Sequence, residues 1–458
     1  MSPSDVTLDN RAARLRSALG SRIVLAGDPD YDAVRVAWNL AIDQRPFAVA
    51  SPESAEDVVA VVRAATAAGL RIAPQSTGHG AAGLADTDLS DVVLVNLAGL
   101  RGVTVHPDTR SARVLGGSTW NDVVAATAPH GLTALHGSAG DVSVVGYTLS
   151  GGISFYARQH GLAVNSVRAV QLVTADGSLV RASTGENAEL FWAVRGGSGG
   201  FGVVVSIEID LLPYADVVAG MLLWDASRAL EVGEAWAEWT ASAPESVTST
   251  FRVMHFPPLP ELPPFLAGRS VAVIDGAVLE TDADAAALLA PLRALAPEVD
   301  TFGRIPSAAL VAVHMDPPTP TPAVTAHAVL RMLTPDAVEA FVDVASTPGL
   351  FIAELRHLGG ALTRRPPRAG AIATLDGEYL VHTIAVAPTP EALSLATATT
   401  QAAVSALSPW RSPRLALTFI DGGGVDRSAG FGDAAALLRE LKAAHDPQNV
   451  FAASHPLA

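Results

Sequence analysis

Hydrophobic and polar positions along the first half of the chain follow two periods, one typical of helices and one of strands. A helical repeat begins behind Ser54, which can cap a helix, and Gly69 suits the position just past its end. Runs typical of strands cover residues 70–74, 91–97 and 201–212, and two hairpins are predicted over 103–115 and 169–183. The second hairpin turns at Asp176-Gly177, a strong signal for a tight turn. Further helices are predicted at 119–129, 186–195 and 433–445.

Beyond residue 214 the hydrophobic pattern is less regular, and it again predicts both strands and helices. Strands are predicted at 217–224, 249–255, 270–280, 350–356 and 379–386, and helices near 226–240, 282–295, 335–346 and 389–407. A sheet with helices covering one side is the simplest packing of these elements. The regular strand-helix-strand rhythm of a dinucleotide-binding sheet is missing, so the fold class is α+β.

Composition narrows the choice of partner. The 458 residues include 30 Lys and Arg against 46 Asp and Glu, a formal charge of −16, which argues against nucleic acid and against an anionic membrane surface. The chain has no cysteine, which excludes disulfides, iron–sulfur clusters and thiol nucleophiles. No stretch reaches the roughly 18 consecutive apolar residues typical of a membrane span. We therefore expect a soluble, cytoplasmic protein with a small-molecule partner; the sequence does not predict an oligomeric state.

Glycine and proline are distributed unevenly along the chain. Glycine is concentrated at 75–83, 136–152 and 195–202, whereas proline is concentrated at 257–264 and 316–322. This distribution predicts one domain that brings its backbone close to a large ligand, followed by a second domain with long irregular loops.

The segment RGGSGGFG (195–202) matches two known motifs, GxGxxG and GxSxG. Both functional interpretations, a dinucleotide fingerprint and a hydrolase nucleophile at Ser198, need a strand before the motif and a helix after it. Here a helix is predicted before the motif and a strand after it. The segment is better interpreted as a glycine turn that packs against a ligand or another strand.

The 12 histidines lack HxH, HxxH and HExxH spacing, so no metal site is predicted. His79 stands out because Gly78 and Gly80 flank it in a loop that follows a predicted strand. Successive backbone N–H groups in such a loop can bind a pyrophosphate. On these residues alone, a plain turn is an equally good interpretation.

In this order and spacing, the three glycine segments resemble the FAD-binding module of the vanillyl-alcohol oxidase superfamily, within it the berberine-bridge-enzyme-like branch. The segments that carry the resemblance are QSTGH (75–79), VSVVGYTLSGG (142–152), VTADG (173–177), ELFWAVRGG (189–197), GFGVVVSIEI (200–209), DPQNVF and the closing SHPL. Together they extend over residues 30–213 and 350–458.

The resemblance implies a two-domain FAD-binding fold of the PCMH type. Residues 1–213 and 408–458 are expected to form the FAD domain, and residues 214–407 a substrate domain made of a sheet covered by helices. FAD is expected to be joined through its 8α-methyl group to His79; FAD held without a bond is the alternative. Ala139 replaces the cysteine of members with two covalent links. The expected cofactor-binding residues are Gln75, Ser76, Thr77, Gly78, His79, Gly80, Gly137, Ser138, Ala139, Val142, Gly146, Tyr147, Gly151, Gly152, Ser154, Gly202, Val203 and Asn449.

The resemblance also implies an FAD-dependent oxidoreductase, an oxidase that takes a hydride from a small alcohol or amine and uses molecular oxygen. A dehydrogenase with another acceptor and a flavin-bound protein without turnover remain alternatives. The alternative without turnover is motivated by Ala416 and Thr418, since Ala416 stands where many members have a tyrosine that takes part in catalysis and Thr418 where they have an asparagine. On the strand at 350–356, Glu354 would face the cleft if Leu355 faces the core, which makes Glu354 a candidate base. A surface ion pair with Arg356 is the alternative, and Tyr147 and His136 are further candidates.

Overall fold

The first part of the chain builds a four-stranded mixed sheet, in a computed structural model that describes residues 3–85, 87–420 and 425–457. Its elements are α1 (Pro3–Leu19), β1 (Ile23–Leu25), α2 (Tyr31–Val34), β2 (Ala48–Ala50), α3 (Ala55–Ala67), β3 (Arg71–Gln75) and β4 (Val92–Asn96). The strand order is β1-β2-β4-β3, with β2 and β3 parallel to β4. Helix α3 starts as predicted, because Ser54 Oγ accepts a hydrogen bond from the Asp57 N–H at 3.1 Å.

A five-stranded antiparallel sheet follows, in the order β5-β6-β9-β7-β8. Its elements are β5 (Val103–His106), β6 (Ser111–Leu115), α4 (Trp120–Thr127), α5 (Val144–Leu149), α6 (Ala157–His160), β7 (Val167–Val173), β8 (Leu179–Ser183), α7 (Ala188–Gly197) and β9 (Val203–Asp210). Both predicted hairpins are confirmed, and Gly177 takes the positive φ of +76° that the second turn needs. Helix α7 precedes the glycine turn and β9 follows it, which is the order that excludes a nucleophile elbow.

The third sheet is antiparallel and has eight strands, in the order β13-β10-β12-β11-β16-β17-β15, with β14 beside β10. Its strands are β10 (Asp216–Asp225), β11 (Val247–His255), β12 (Ser270–Val278), β13 (Val299–Asp300), β14 (Gly303–Pro306), β15 (Ala323–Leu330), β16 (Ile352–His357) and β17 (Tyr379–Val386). Its helices are α8 (Ala229–Ser242), α9 (Asp282–Arg293), α10 (Pro335–Ala345) and α11 (Pro390–Ala406). The predicted elements are confirmed; β13, β14 and β15 were not predicted.

The two faces of this third sheet have different chemistry. Phe251 and Leu355 point to one face and pack under Trp236 of α8 and Phe341 of α10 in a common core. Alternate residues point to the other face, where Arg252 and Glu354 lie directly opposite each other on paired strands. One side of the sheet is therefore a hydrophobic core, and the other side carries buried charges.

The end of the chain packs on the second sheet through its helices and on the first sheet through residues 450–452. It comprises α12 (Ser428–Phe431), α13 (Ala435–His445) and the turn DPQNVF. The buried Asp446 carboxylate accepts hydrogen bonds from the N–H groups of Val450 and Phe451. Phe451 then pairs with Ile72 of β3 through a parallel bridge. No helix among the described residues is long and apolar enough to cross a membrane.

Candidate functional site

A large cleft opens where the glycine segments, the 417–420 turn and the end of the chain meet. The space that it leaves for the centres of water molecules is about 240 Å³, just below the roughly 300–1,000 Å³ usual for small-molecule pockets, and it opens to solvent at its mouth. Its lining is formed by residues 74–81, 84, 97, 116, 142–143, 145–147, 150, 197–199, 202, 204, 417–418, 420 and 453–455.

Backbone rather than side chains forms much of the cleft wall. Gly78 has a φ of +84°, and a Cβ at this position would lie 2.8 Å from the Ala37 Cα. A Cβ on Gly202 would lie 2.6 Å from the Val173 carbonyl oxygen. Only glycine therefore fits at these two positions, and its absent side chain leaves the backbone open to a ligand.

His79 is the aromatic side chain in the first glycine loop, and neighbouring side chains contact one face and one edge of its ring. Its ring stacks on Trp38 with a centroid distance of 4.2 Å, and Nδ1 lies 2.8 Å from Thr77 Oγ1. Nε2 is buried, has no hydrogen-bond partner among the described residues, and lies 3.8 Å from Asp141 Oδ1. Burial lowers the pKa of His79 to about 4 despite Asp141 and Asp316. The ring is therefore neutral at physiological pH.

The structure brings ten of the expected cofactor-binding residues to the cleft: Gln75, Ser76, Thr77, Gly78, His79, Gly80, Val142, Gly146, Tyr147 and Gly202. The others do not line it: Gly137, Ser138, Ala139, Gly151, Gly152, Ser154, Val203 and Asn449. Gly137 and Gly152 instead lie against the ring of Tyr147, where a Cβ would come within 3.1 Å and 2.5 Å of ring carbons. Ser138 Oγ donates a hydrogen bond to Asp316 at 2.7 Å.

Two of these differences follow from strand and turn geometry. Val203 is fully buried in a core shared with α3, while its neighbour Val204 lines the cleft, because successive side chains of a strand point to opposite faces. Asn449 lies exposed in the turn after α13, and the cleft is lined instead by Ala453, Ser454 and His455. The closing SHPL segment was the only sequence signal for these last residues.

Tyr147 and His136, two of the catalytic candidates, occupy different places. Tyr147 lines the cleft, and its buried hydroxyl has no partner among the described residues. Burial raises the pKa of Tyr147, although Arg356 nearby opposes the shift, so the phenol stays protonated. His136 lies behind the cleft in the core, where its Nδ1 donates to the Gly137 carbonyl at 2.8 Å. Burial lowers the pKa of His136 to about 4.

Glu354, the third candidate, does not line the cleft as expected but belongs to a buried charge network beside it. It is only 1% exposed, forms a salt bridge with Arg356, and its Oε2 lies 3.5 Å from His314 Nε2 and 3.8 Å from His382 Nδ1. Burial alone would raise its pKa, but Arg356 and His314 lower the pKa of Glu354 well below its usual value. The alternative of a surface ion pair is wrong, because the pair is buried on the charged face of the third sheet.

The 417–420 turn connects this charge network to the cleft. Leu417, Thr418 and Ile420 line the cleft, while the Phe419 ring points away from it and lies 5.0 Å from the Arg356 guanidinium carbon. The Ala416 N–H donates to Nε2 of His327 at 3.1 Å. Ala416 thus fixes the turn through its backbone. No group of three or more His, Asp or Glu side chains suited to a metal occurs in the described part of the chain.

Comparison with known proteins identifies FAD as the cofactor. Residues 46–183 match the protein-family model of an FAD binding domain. This segment is an FAD-binding domain. It contains the His79 loop and the 142–152 segment, so the sequence-based expectation of FAD as cofactor is confirmed.

The curated proteins that are similar in sequence include two oxidases. The (R)-6-hydroxynicotine oxidase of Paenarthrobacter nicotinovorans is 36% identical over 214 residues, which cover 46% of this chain and 46% of that protein. The glucooligosaccharide oxidase of Sarocladium strictum is 34% identical over 191 residues, covering 41% and 38%. The chain spans about half the length, or less, of the curated relatives it matches. The predicted resemblance to FAD-linked oxidases is confirmed.

Solved structures extend the likeness over the whole fold. The wild-type BBE-like 1 protein of Physcomitrella patens superimposes with a TM-score of 0.82 at 20% identity, covering 98% of this chain and 99% of that one. The 6-hydroxy-D-nicotine oxidase of Arthrobacter nicotinovorans gives 0.79 at 22% identity, covering 94% and 96%. The predicted α+β fold of the PCMH type is therefore confirmed.

The FAD-binding domain has the properties that this cofactor needs. The glycine walls of the 75–80 loop and the position of His79 in the cleft lining fit a ligand held close to the backbone. Backbone N–H groups of the loop are suited to the pyrophosphate, and His79 stands beside them.

Proposed function

We propose that this protein is an FAD-dependent oxidoreductase that oxidises a small-molecule alcohol or amine and uses molecular oxygen as acceptor. The observation that carries the proposal is the neutral His79, fixed by Trp38 inside a glycine-walled cleft of an FAD-binding domain. Bound FAD supplies the redox chemistry, accepting a hydride and passing the electrons to oxygen. The relatives named as oxidases support this choice over a binding protein without turnover.

We further propose that residues 1–213 and 408–458 hold the cofactor and residues 214–407 the substrate. The bridge between Ile72 and Phe451 and the hydrogen bond from Lys442 Nζ to the Gly200 carbonyl at 2.8 Å support placing the chain's end with the FAD domain. The charged face of the third sheet then lies next to the cleft, across the 417–420 turn.

FAD is proposed to be attached covalently through Nδ1 of His79. Nε2 is sealed from solvent and faces the Asp141 carboxylate, so the ring proton is best placed on Nε2. Asp141 is itself held by the Trp38 Nε1–H at 2.6 Å. The lone pair then lies on Nδ1, next to the Thr77 hydroxyl, and a neutral imidazole is a competent nucleophile. It would add to the 8α carbon of FAD once that methyl group has lost a proton, with the Nε2 proton passing to Asp141, and molecular oxygen would reoxidise the reduced flavin that results.

Glu354 is the proposed proton acceptor among the three candidates. Tyr147 is kept protonated and therefore acts as a hydrogen-bond donor, and His136 is sealed in the core. Glu354 is ionised, lies on the charged face of the sheet, and is held there by Arg356. A carboxylate with a lowered pKa is a weak base, so the substrate proton must already be acidic or become so during hydride loss.

Anaerobic reduction of the bound flavin tests the proposal. Purified protein is mixed without oxygen with a panel of alcohols, amines and sugars while the flavin absorbance is followed. An oxidase is bleached by one substrate class and recovers its colour, with hydrogen peroxide, when air is admitted. Colour that returns only with an artificial acceptor indicates a dehydrogenase, and flavin that no compound bleaches contradicts turnover.

The covalent link is tested on denatured protein. The wild type should retain flavin fluorescence on a denaturing gel, and His79→Ala should lose it, whereas the exposed His130→Ala should retain it as the matched control. Flavin released completely into the supernatant on acid precipitation of the wild type would show that FAD is held without a bond.

A further inference from the structure

The cleft that holds FAD has no charged wall. Among its described lining residues there is no Lys, Arg, Asp or Glu, and the titratable side chains are His79, Tyr147 and His455. The pyrophosphate of FAD carries two negative charges at neutral pH. Charges taken out of water need a partner of opposite sign or a dense set of hydrogen bonds. Backbone N–H groups of the glycine loop can provide hydrogen bonds, but they supply no full positive charge.

His455 is well placed to supply that charge. Ser454 beside it packs on Gly83, where a Cβ would lie 2.3 Å from the Ser454 carbonyl oxygen. Gly83 belongs to the helical turn Ala81–Leu84, which follows the 75–80 loop directly. His455 therefore lines the cleft next to the loop suited to the pyrophosphate, on a segment anchored to β3 through Phe451.

The environment of His455 favours a neutral ring as long as no anion is near. Its Nδ1 is buried without a hydrogen-bond partner among the described residues. Burial lowers the pKa of His455 to about 4, and Arg427 beside it lowers the pKa further. The groups facing the ring from the cleft side are uncharged, so nothing there stabilises a proton. An anion placed in the cleft would reverse this balance.

We propose that His455 takes up a proton from solvent when FAD binds and then pairs, as an imidazolium, with the pyrophosphate. His79 cannot take this role, because its Nε2 is sealed against Asp141 and its Nδ1 is assigned to the flavin link. The charge of Arg427, which acts on the His455 ring, adds positive potential. The proposal depends on FAD being the ligand, as stated under the proposed function, and is independent of turnover.

The proposal can be measured because proton uptake by His455 would be coupled to FAD binding. If binding raises the pKa of His455, the affinity for FAD must increase as the pH falls, with a limiting slope of about tenfold per pH unit for one proton. FAD itself takes up no proton between pH 5 and pH 8. The test uses His79→Ala protein, in which FAD is exchangeable, and measures the Kd of FAD by fluorescence quenching at pH 5, 6, 7 and 8.

Three variants, each made in addition to His79→Ala, distinguish an effect of the charge at residue 455 from an effect on packing. With His455 intact, or with the exposed His130→Gln as control, the Kd should fall at least about tenfold from pH 8 to pH 5. His455→Gln should bind more weakly at pH 5 and show no pH dependence. His455→Lys, which carries a permanent charge, should bind tightly at every pH. If the role of His455 were purely structural, His455→Lys would bind FAD as weakly as His455→Gln does.

A pH dependence that persists unchanged in His455→Gln, or that is absent when His455 is present, would overturn the proposal. Where the double variants do not fold, ³¹P NMR of flavin-loaded protein with His79 intact decides the matter. The pyrophosphate resonances of the wild type should shift with pH between 5 and 8, and those of His455→Gln should not. Resonances that titrate equally in both proteins refute the role of His455. Loaded protein that fails to oxidise any substrate refutes only the proposed function.

Discussion

His314 is a buried imidazole whose protonation state the third sheet should control. Its Nδ1 lies 2.9 Å from Asp275 Oδ2, and its Nε2 lies 3.5 Å from Glu354 Oε2. Burial and the nearby Arg252 disfavour the charged ring. Asp275, Asp316 and Glu354 outweigh them and raise the pKa of His314 from 6.5 to about 9. Folding therefore stabilises the imidazolium.

The size and the pH range of this contribution follow from linkage. Raising the pKa from 6.5 to about 9 corresponds to about 3 kcal/mol of folding free energy. Because the folded pKa is raised, this stabilisation is complete below pH 6.5 and is lost as the pH rises through about 9. About 1 kcal/mol should remain at pH 8, and almost none at pH 10.

The assay compares the wild type with His314→Gln in urea unfolding between pH 5 and pH 10. Four of the seven tryptophans, Trp224, Trp236, Trp239 and Trp410, pack in or against the core under the third sheet, so tryptophan fluorescence is weighted toward the unfolding of this part of the chain. At pH 5 we expect the free energy of unfolding to be higher for the wild type than for the variant. This difference should fall by about 3 kcal/mol between pH 5 and pH 10. The exposed His130→Gln should show no such change in its difference from the wild type.

One contact in the structure supports the opposite protonation state. Nη2 of Arg356 lies 3.1 Å from Nε2 of His314, a distance at which a neutral ring would accept a hydrogen bond. We favour the imidazolium because two carboxylates flank the ring directly. A stability difference between wild type and His314→Gln that stays constant from pH 5 to pH 10 would show that the ring is neutral and would refute the reasoning.

Three other predictions concern the cleft and its neighbours. Asp141→Asn should slow flavin attachment to His79 several-fold, because the carboxylate no longer fixes the Nε2 proton; gel fluorescence over time measures it, and an unchanged rate would contradict the assignment of Nδ1. Gly83→Ala should lower flavin content and cost about 1–3 kcal/mol of stability because its Cβ meets backbone, whereas Gly185→Ala, at an exposed position outside the cleft with nothing within 4 Å, should resemble the wild type; equal loading would argue against the tight packing. Glu354→Gln should keep its flavin but reduce it at least about a hundredfold more slowly; an unchanged reduction rate would eliminate this residue as the base.

Local sequence rules determined the elements and the cofactor loop of this protein. The cap at Ser54, the tight turn at Asp176-Gly177 and the glycines flanking His79 act within a few residues, so their geometry is encoded where they stand. The same local glycine spacing carried the resemblance that predicted FAD. The alternation of side chains along β16 could also be predicted from the sequence, because Leu355 and Glu354 must point to opposite faces whichever strand β16 pairs with.

Tertiary structure decided which side chains meet. Trp38 stacks on His79 across 41 positions of sequence, and His314 is carried to Asp275 and Glu354 by a loop that follows no periodic pattern. Long-range strand pairing placed Val204 rather than Val203 in the cleft and joined the end of the chain to β3, which brought His455 there instead of Asn449. Such contacts depend on register and on the docking of distant segments, whose energies arise only when the elements pack together, and no local pattern of residues specifies them.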